Sequence, residues 1–503
     1  VLASIPSSIV IGVDGRPVTV EVHVGKGLPG LSIVGLPDAA CREARDRVRA
    51  AVMAAGATWP VARTTVNLAP SDTRKVGSGL DLAIAIGVLV ASGQLPAERV
   101  AGFAFVGELG LDGTVRRVPG IVPRVHALGE HEVVVPRDDA ADAALVADTT
   151  VHGVATLAEV VGALAEDPPR WPRHPVEAEP LDPAPAPDLA EVRGQPDACQ
   201  ALVVAAAGGH HLLMVGPPGA GKTMLAARLP GLLPDLSGAD ALEATRIHSA
   251  AGRRLGGLLT RPPFRAPHHT ATMVALVGGG SDAMRPGEIS LASGGVLFLD
   301  ELGEFPPVVL DALRQPLEEG VIRVSRARFT TDLPARVLLV AAMNPCPCGE
   351  AGRPGACRCP DGALARYRRR LSGPLLDRFD LRIQVQRPQV GALFGGPSGP
   401  GTAELAAVVG RARERAAERG VAVNARLSGS TLDEAAPLAA PAEQLLTQRL
   451  RDGTLSARGL TRVRRVALTI ADLDDHHGPL SARHVAMALA MRIEVVGIGG
   501  LAA

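Results

Sequence analysis

The sequence predicts an α/β protein in three blocks, with a parallel, doubly wound nucleotide-binding sheet in the middle one. Three observations carry this. Apolar strands alternate with helical runs between 189 and 386, which is how a parallel sheet is written. A Gly-rich loop, Gly216-Pro217-Pro218-Gly219-Ala220-Gly221-Lys222-Thr223, follows the first of those strands and opens a helix. Two Pro- or Gly-rich breaks, at 166–188 and 387–402, separate the blocks.

The first block, 1–165, mixes β-branched runs (Val18 to Val24, Val133 to Val135) with helical ones (Ala39 to Ala55, Leu80 to Ser92), and reads as an α+β domain. The break at 166–188 carries eight prolines, which sustain neither a helix nor a central strand, so it reads as an extended linker. Trp171 within it is expected to anchor the linker to a neighbouring domain. The middle block places strands at Leu212 to Val215, Val296 to Leu299 and Val337 to Ala341. The last block, 403–503, is helical, with runs at Ala403 to Arg419, Ala442 to Arg451, Arg458 to Leu473 and Ser481 to Arg492.

Composition removes several classes. The chain has 503 residues, 47% of them hydrophobic, enough for more than one core. Its longest apolar stretch, Leu82 to Ala91, is about half of the roughly 20 residues a spanning helix needs, so no membrane partner is expected. No signal peptide is readable at Val1-Leu2-Ala3-Ser4, and a cytoplasmic location is expected. The 52 basic residues balance 52 acidic ones, and only three of the basic ones are lysines: Lys26, Lys75 and Lys222. Aromatic residues are 2%.

One of those lysines sits in the Gly-rich loop. The loop matches G-x-x-x-x-G-K-[ST], whose backbone N–H groups converge on phosphate oxygens at a helix N-terminus. Lys222 supplies a compact ammonium for the β- and γ-phosphates of ATP, a role for which the wider arginine fork is no substitute. Thr223 supplies a hydroxyl for Mg²⁺. The strand Val296-Leu-Phe-Leu299 ends in Asp300 and Glu301. Asp300 is expected to hold Mg²⁺ through water, and Glu301 to polarise the attacking water. Asn344, closing the third apolar strand, is placed to orient that water or contact the γ-phosphate.

Cys346, Cys348, Cys357 and Cys359 form two C-x-C pairs in a Gly/Pro-rich insert at 344–366. Four thiolates suit a closed structural Zn²⁺ site, and free or redox-active thiols are the other reading. Arginines cluster despite the neutral total: eight against three aspartates between Arg358 and Arg387. Gly252 to Gly287 is also basic and includes His268 and His269, and Gly320 to Phe329 alternates like a hairpin with Arg323, Arg326 and Arg328 exposed. Such clusters around a nucleotide site fit a phosphate-rich polymer such as DNA.

Taken together, the loop at 216–223, Phe264-Arg-Ala-Pro-His-His-Thr270, Pro286-Gly-Glu-Ile-Ser-Leu291, Val296 to Leu302, Leu313-Arg-Gln-Pro-Leu-Glu318, Asn344-Pro-Cys-Pro-Cys-Gly349 and Leu375-Leu-Asp-Arg-Phe-Asp380 resemble the magnesium-chelatase-like AAA+ ATPases, and more narrowly the ComM/YifB family. The resemblance covers nearly the whole chain. It implies a homo-hexameric ring with nucleotide between subunits, Arg378 as the arginine finger, and Arg458 as the sensor arginine of a helical lid, with Arg462 competing for that role. It also implies that the hairpin at 320–334 and the insertion at 264–291 face a central pore, and that the protein moves branched DNA during uptake or recombination. A chelatase motor and a protein-remodelling ATPase are the alternatives.

Val66-Asn-Leu-Ala-Pro-Ser-Asp72, Lys75-Val-Gly-Ser-Gly-Leu-Asp81 and Gly107-Glu-Leu-Gly-Leu-Asp-Gly-Thr-Val115 resemble the Lon-protease-type domain. Ser78 lies near the nucleophile position that this resemblance implies, but Pro119 to Val122, where a partner lysine is implied, holds none. The domain is therefore expected to lack a catalytic dyad, and Lys75, with Arg74, is expected to face DNA phosphates or a neighbouring subunit.

Overall fold

The computed structural model describes residues 2–172, 187–280, 284–326, 329–351, 356–395 and 399–493. The chain begins with a four-stranded sheet: β1 (Leu2–Ile11), β2 (Asp14–Gly25), β3 (Gly30–Val34) and β4 (Arg63–Ala69) in the order β1-β2-β4-β3. Only β3, at the edge, runs parallel to its neighbour. Val18, Val20 and Val22 alternate inward from β2, the period-two pattern of a strand with one dry face.

Against that face pack α1 (Ala39–Ala54) and α2 (Asp81–Ala91). α2 is buried on every side, as expected for a helix apolar all round. Gly87 is what lets it approach: a Cβ there would lie 2.5 Å from a methyl of Val22. A second, parallel sheet of Phe103–Phe105, Glu132–Pro136 and Val151–Val154 completes this α+β unit. Trp171 folds back onto it, stacked on His152 at 4.7 Å and edge-on to Phe103 at 5.2 Å. The remainder of the linker, 173–186, lies outside the described residues.

The middle block is a five-stranded parallel sheet in the order Phe264–Arg265, Val296–Leu299, Leu338–Met343, Leu212–Val215, Leu381–Gln384. Both faces are covered, which is why its strands read as unbroken apolar runs. Leu212, Met214, Val296, Phe298, Val340 and Ala342 face one core, shared with the helix Pro196–Gly208 and with the C-terminal helices. Leu213, Val215, Leu297, Leu299, Leu339 and Ala341 face the other. The C-terminal helices Thr402–Glu418, Gly429–Ala435, Ala440–Arg451, Ala457–Leu473 and Ala482–Ala490 form a helical cap against the first core. Between the blocks, the apolar run after Gln389 forms a short helix, Val390–Gly395, inside a stretch whose glycines and prolines suggested only a break.

The first unit docks onto the helix Gly238–Ala250 of the middle block. Arg246 pairs with Asp14 at 2.6 Å, Gly120 N–H donates to the Ser249 carbonyl at 2.9 Å, and Leu255 joins the core of Val118, Ile121, Val122 and Val125.

Two histidines tie stability of the middle block to pH. His211 accepts the Leu339 N–H at 3.0 Å, and buried His248 bonds the Leu291 carbonyl at 2.9 Å. Desolvation holds both down at about 4 against an ordinary 6.5. Between those values the unfolded chain binds more protons than the folded one, so stability rises with pH across that window. The thermal midpoint is expected to fall by several degrees from pH 7 to pH 5, as followed by circular dichroism; a midpoint level over that range would refute the assignment.

Candidate functional site: a phosphate loop beside a cysteine cluster

The parallel register brings three strand ends to one edge. Val215 lies opposite Met343, and Leu299 opposite Ala341. Ligands bind in the crevice beyond the carboxyl ends of such strands, and the groups expected there do converge.

The loop turns out of its strand at Gly216, where a Cβ would lie 2.0 Å from the Val385 carbonyl oxygen, so no other residue fits. Gly219 and Gly221 adopt φ of +75° and +87°, the left-handed values that turn N–H groups into the loop. The helix Lys222–Ala226 starts immediately. Lys222 Nζ donates to the carbonyls of Gly216 (2.7 Å) and Pro217 (3.0 Å) and to Asn344 Oδ1 (3.1 Å). Burial lowers its pKa, against the pull of Asp300 and Glu301. An ammonium held by three weak acceptors at a concave loop is ready to exchange them for phosphate oxygens.

Thr223 Oγ1 donates to Asp300 Oδ2 at 2.6 Å, so the hydroxyl and carboxylate expected to share Mg²⁺ are already adjacent. Glu301 takes φ +51°, rare for a side chain other than glycine, asparagine or aspartate, and its own N–H is held by Asp300 Oδ1 at 2.9 Å. Its carboxylate meets His269 Nδ1 at 3.1 Å. An oxygen-donor pair beside a phosphate-binding lysine suits Mg²⁺: Thr223 and Asp300 would hold it, and it would neutralise phosphate charge.

The four cysteines also converge. Cys346 Sγ lies 3.3 Å from Cys348 Sγ and 3.8 Å from Cys357 Sγ, Cys348 and Cys357 are 3.7 Å apart, and all four sulfurs fall within 4.8 Å of one another. Tetrahedral Zn–S bonds of about 2.3 Å put sulfurs about 3.8 Å apart, so the donor set fits. The backbone N–H of Glu350 favours a Cys348 thiolate, lowering it to about 6, while the hydrogen bond to Cys348 pushes Cys359 up to about 12. The cluster abuts the phosphate loop: a Cβ at Gly349 would lie 2.4 Å from Pro218, and Arg387 ties Glu350 (3.1 Å) to the Pro218 carbonyl (3.2 Å).

Other expected residues lie elsewhere. Lys75 requires a correction: its side chain is fully buried, Nζ donates to the carbonyls of Pro70 and of Thr73 (2.7 Å), and desolvation lowers its pKa, so it cannot meet DNA phosphates. Ser78 hydrogen-bonds Glu108. Arg378 pairs with Glu318 and donates to the Pro374 carbonyl at 3.0 Å, with no bond to its own phosphate loop among the described residues. Arg458 is exposed in the first turn of its helix. Arg462 is tied at 2.7 Å to buried Asp380. Despite burial, His210 and Arg462 hold the Asp380 carboxyl below the usual range. Arg323 is exposed on the hairpin Val321–Arg326/Phe329–Pro334 and pairs with Glu319 at 3.4 Å; the Arg326 side chain and Arg328 lie outside the described residues. His268 is exposed and bonds Thr270 Oγ1 at 2.9 Å, with its ring 4.0 Å from that of His269.

Sequence reading missed three supports. Tyr367, the chain's single tyrosine, donates to the Asn344 carbonyl at 3.0 Å, with Gly303 leaving room for its ring. Buried Gln195 clamps the loop through the Ala220 carbonyl at 3.2 Å. His269 meets Glu301 rather than pointing into solvent. Only the uniqueness of Tyr367 was a signal in the sequence.

Comparison with known proteins agrees with this geometry. A family model described as magnesium chelatase, subunit ChlI, matches residues 188–393, one for subunit ChlI of Mg-chelatase matches 20–139, and one for the ChlI C-terminal region matches 399–492. The chain is 43% identical over 505 residues to the competence protein ComM of Haemophilus influenzae, covering 98% of each. It is 42% identical over 484 residues to the uncharacterized protein YifB of Escherichia coli, covering 94% of each. A probable DNA helicase, MCM9 of Arabidopsis thaliana, is 28% identical over 177 residues, 35% of this chain and 22% of that one.

Replacing Glu301 with Gln keeps the shape and removes the carboxylate. ATP affinity is expected to stay within about twofold while turnover falls by about 10²–10⁴-fold. Equilibrium binding and steady-state hydrolysis separate the two, and normal turnover would remove Glu301 from its role.

Proposed function

The chain belongs to the magnesium-chelatase-like AAA+ ATPases of the ComM/YifB family, and from that premise we propose that it is a Mg²⁺- and ATP-dependent motor that moves DNA strands during uptake or recombination. The observation that carries the reading is the likeness to the competence protein ComM, which extends across 98% of both chains. A match confined to the ATPase core would speak only for ATP use. The partial likeness to a probable DNA helicase points the same way.

The chemistry proposed for the site is phosphoryl transfer to water. Lys222 leaves its carbonyl partners for the β- and γ-phosphates, Thr223 and Asp300 hold Mg²⁺, and Glu301 orients the water and takes its proton. His269 positions the Glu301 carboxylate, and Asn344, braced by Tyr367, lies beside Lys222 to meet the γ-phosphate. Arg378 makes no bond to its own phosphate loop among the described residues, which supports a neighbouring copy as its target: charge on the transferring phosphate would be met there by Arg378 across subunits of a hexameric ring, with Arg458 or Arg462 reading the nucleotide from the lid. The N-terminal unit is taken as a Lon-type domain without a dyad: Lys75 is sealed away from Ser78, whose hydroxyl is bound to an acid instead of a base. The cysteine cluster is taken as a structural zinc site that stiffens the wall of the nucleotide pocket at Pro218.

Two outcomes test these proposals. Hydrolysis is expected to rise several-fold with single-stranded or four-way-junction DNA; a rate indifferent to every DNA tested would move the reading to protein remodelling. Metal analysis is expected to give one zinc per chain, lost in Cys357→Ser/Cys359→Ser. Finding no zinc in the parent chain would refute the staple.

A further inference from the structure

Outside the ATPase site, a cavity of about 700 Å³ opens on the N-terminal unit between α1, the start of β3 and the 56–61 loop that leads into β4. Its walls include Arg45, Asp46, Arg49, Met53, Trp59 and Val61, two arginines against one acid. None of these residues belongs to the nucleotide site or the cysteine cluster.

The helix makes the cationic wall. α1 turns Cys41, Ala44, Val48, Ala51 and Val52 into the core, which leaves Arg42, Arg45 and Arg49 on the opposite, exposed face at spacings of three and four. Arg42 and Arg49 have no acidic partner among the described residues. Arg45 touches only Asp46 at 3.3 Å, with both side chains more than half exposed, and such a pair is worth little and exchanges readily.

The aromatic wall is a single residue. In a chain with 2% aromatics and two tryptophans, Trp171 is occupied by stacking on His152. Trp59 is half-buried, packed on the core on one side and lining the cavity on the other. Beside it Met53 and Val61 are exposed apolar side chains, at 58% and 84%. A flat indole flanked by apolar surface, with the guanidinium groups of Arg49 and of Arg45 (the latter in an exposed pair with Asp46) one and two helical turns before Met53, suits a ligand that alternates a planar ring with an anion. Nucleic acid with unpaired bases has that repeat; a duplex hides the ring faces.

We propose that this groove holds a single strand of nucleic acid, a base stacked on Trp59 and the backbone phosphates on Arg45 and Arg49. The inference rests on the DNA-motor reading and deepens it: the N-terminal unit grips an unpaired strand outside the ATPase ring. Recognition through stacking and phosphates is indifferent to sequence, as a motor requires.

The test uses the full-length chain with Trp171→Phe, which leaves Trp59 as the only indole. A fluorescein-labelled oligothymidylate is titrated while label anisotropy and tryptophan emission are both followed. Emission is expected to be quenched in step with binding. Arg45→Ala/Arg49→Ala is expected to weaken binding at least about tenfold and to lower the slope of log affinity against log salt by about 1.4. ATP hydrolysis without DNA should stay at the parent rate, which verifies that this variant is folded. Binding by anisotropy with unchanged Trp59 emission, or with affinity and salt slope intact in the arginine variant, overturns the groove and leaves the motor reading standing. Absence of any binding overturns both.

Discussion

Everything at the nucleotide site depends on one constraint, the parallel register of the strand Leu212–Val215 between Leu338–Met343 and Leu381–Gln384. Parallel strands end on the same side, so the loop after Val215, the acids after Leu299 and the amide after Met343 meet without any loop having to reach far. A shift of two residues in that register would move Asp300 about 6–7 Å from Thr223 and end their contact at 2.6 Å. Burial on both faces makes such a shift costly, because every strand residue is packed on one side or the other.

Around this frame the polar groups are held mainly by each other. Lys222 rests on carbonyls and on Asn344, whose own carbonyl is held by Tyr367. Glu301 has a strained backbone, a cap from Asp300 and an imidazole on its carboxylate. The cysteine loop presses Gly349 onto Pro218. A shell of this kind keeps the groups proposed for catalysis within hydrogen-bond reach before substrate arrives, which is where most electrostatic stabilisation comes from.

The lysines show how far residue choice can be read. In a chain built on arginine, a lysine implies a task for which a forked, permanently charged group is unsuited. For Lys222 the task is phosphate. For Lys75 it is different: a compact ammonium fits under two carbonyls where a guanidinium would not, and the side chain is sealed in the N-terminal unit. The scarcity was legible, and at Lys222 the surrounding loop pointed to a cause; at Lys75 the cause was not legible, because a count carries no information about burial.

The parallel core and its Gly-rich loop were legible in the sequence by itself, since periodicity and a Gly-rich loop between strand and helix are local signals. Four helices of the last block agree with their sequence-based bounds to within three residues for the same reason, whereas the short helix Gly429–Ala435 was not expected. Tertiary structure alone decided what lies across from what. It set His269 against Glu301, Tyr367 under Asn344, Arg462 on Asp380, and a tryptophan beside two arginines on the first unit. These pairs are 23 to 82 residues apart or on different elements, and no local pattern records a contact that only the packing of two cores onto one sheet creates.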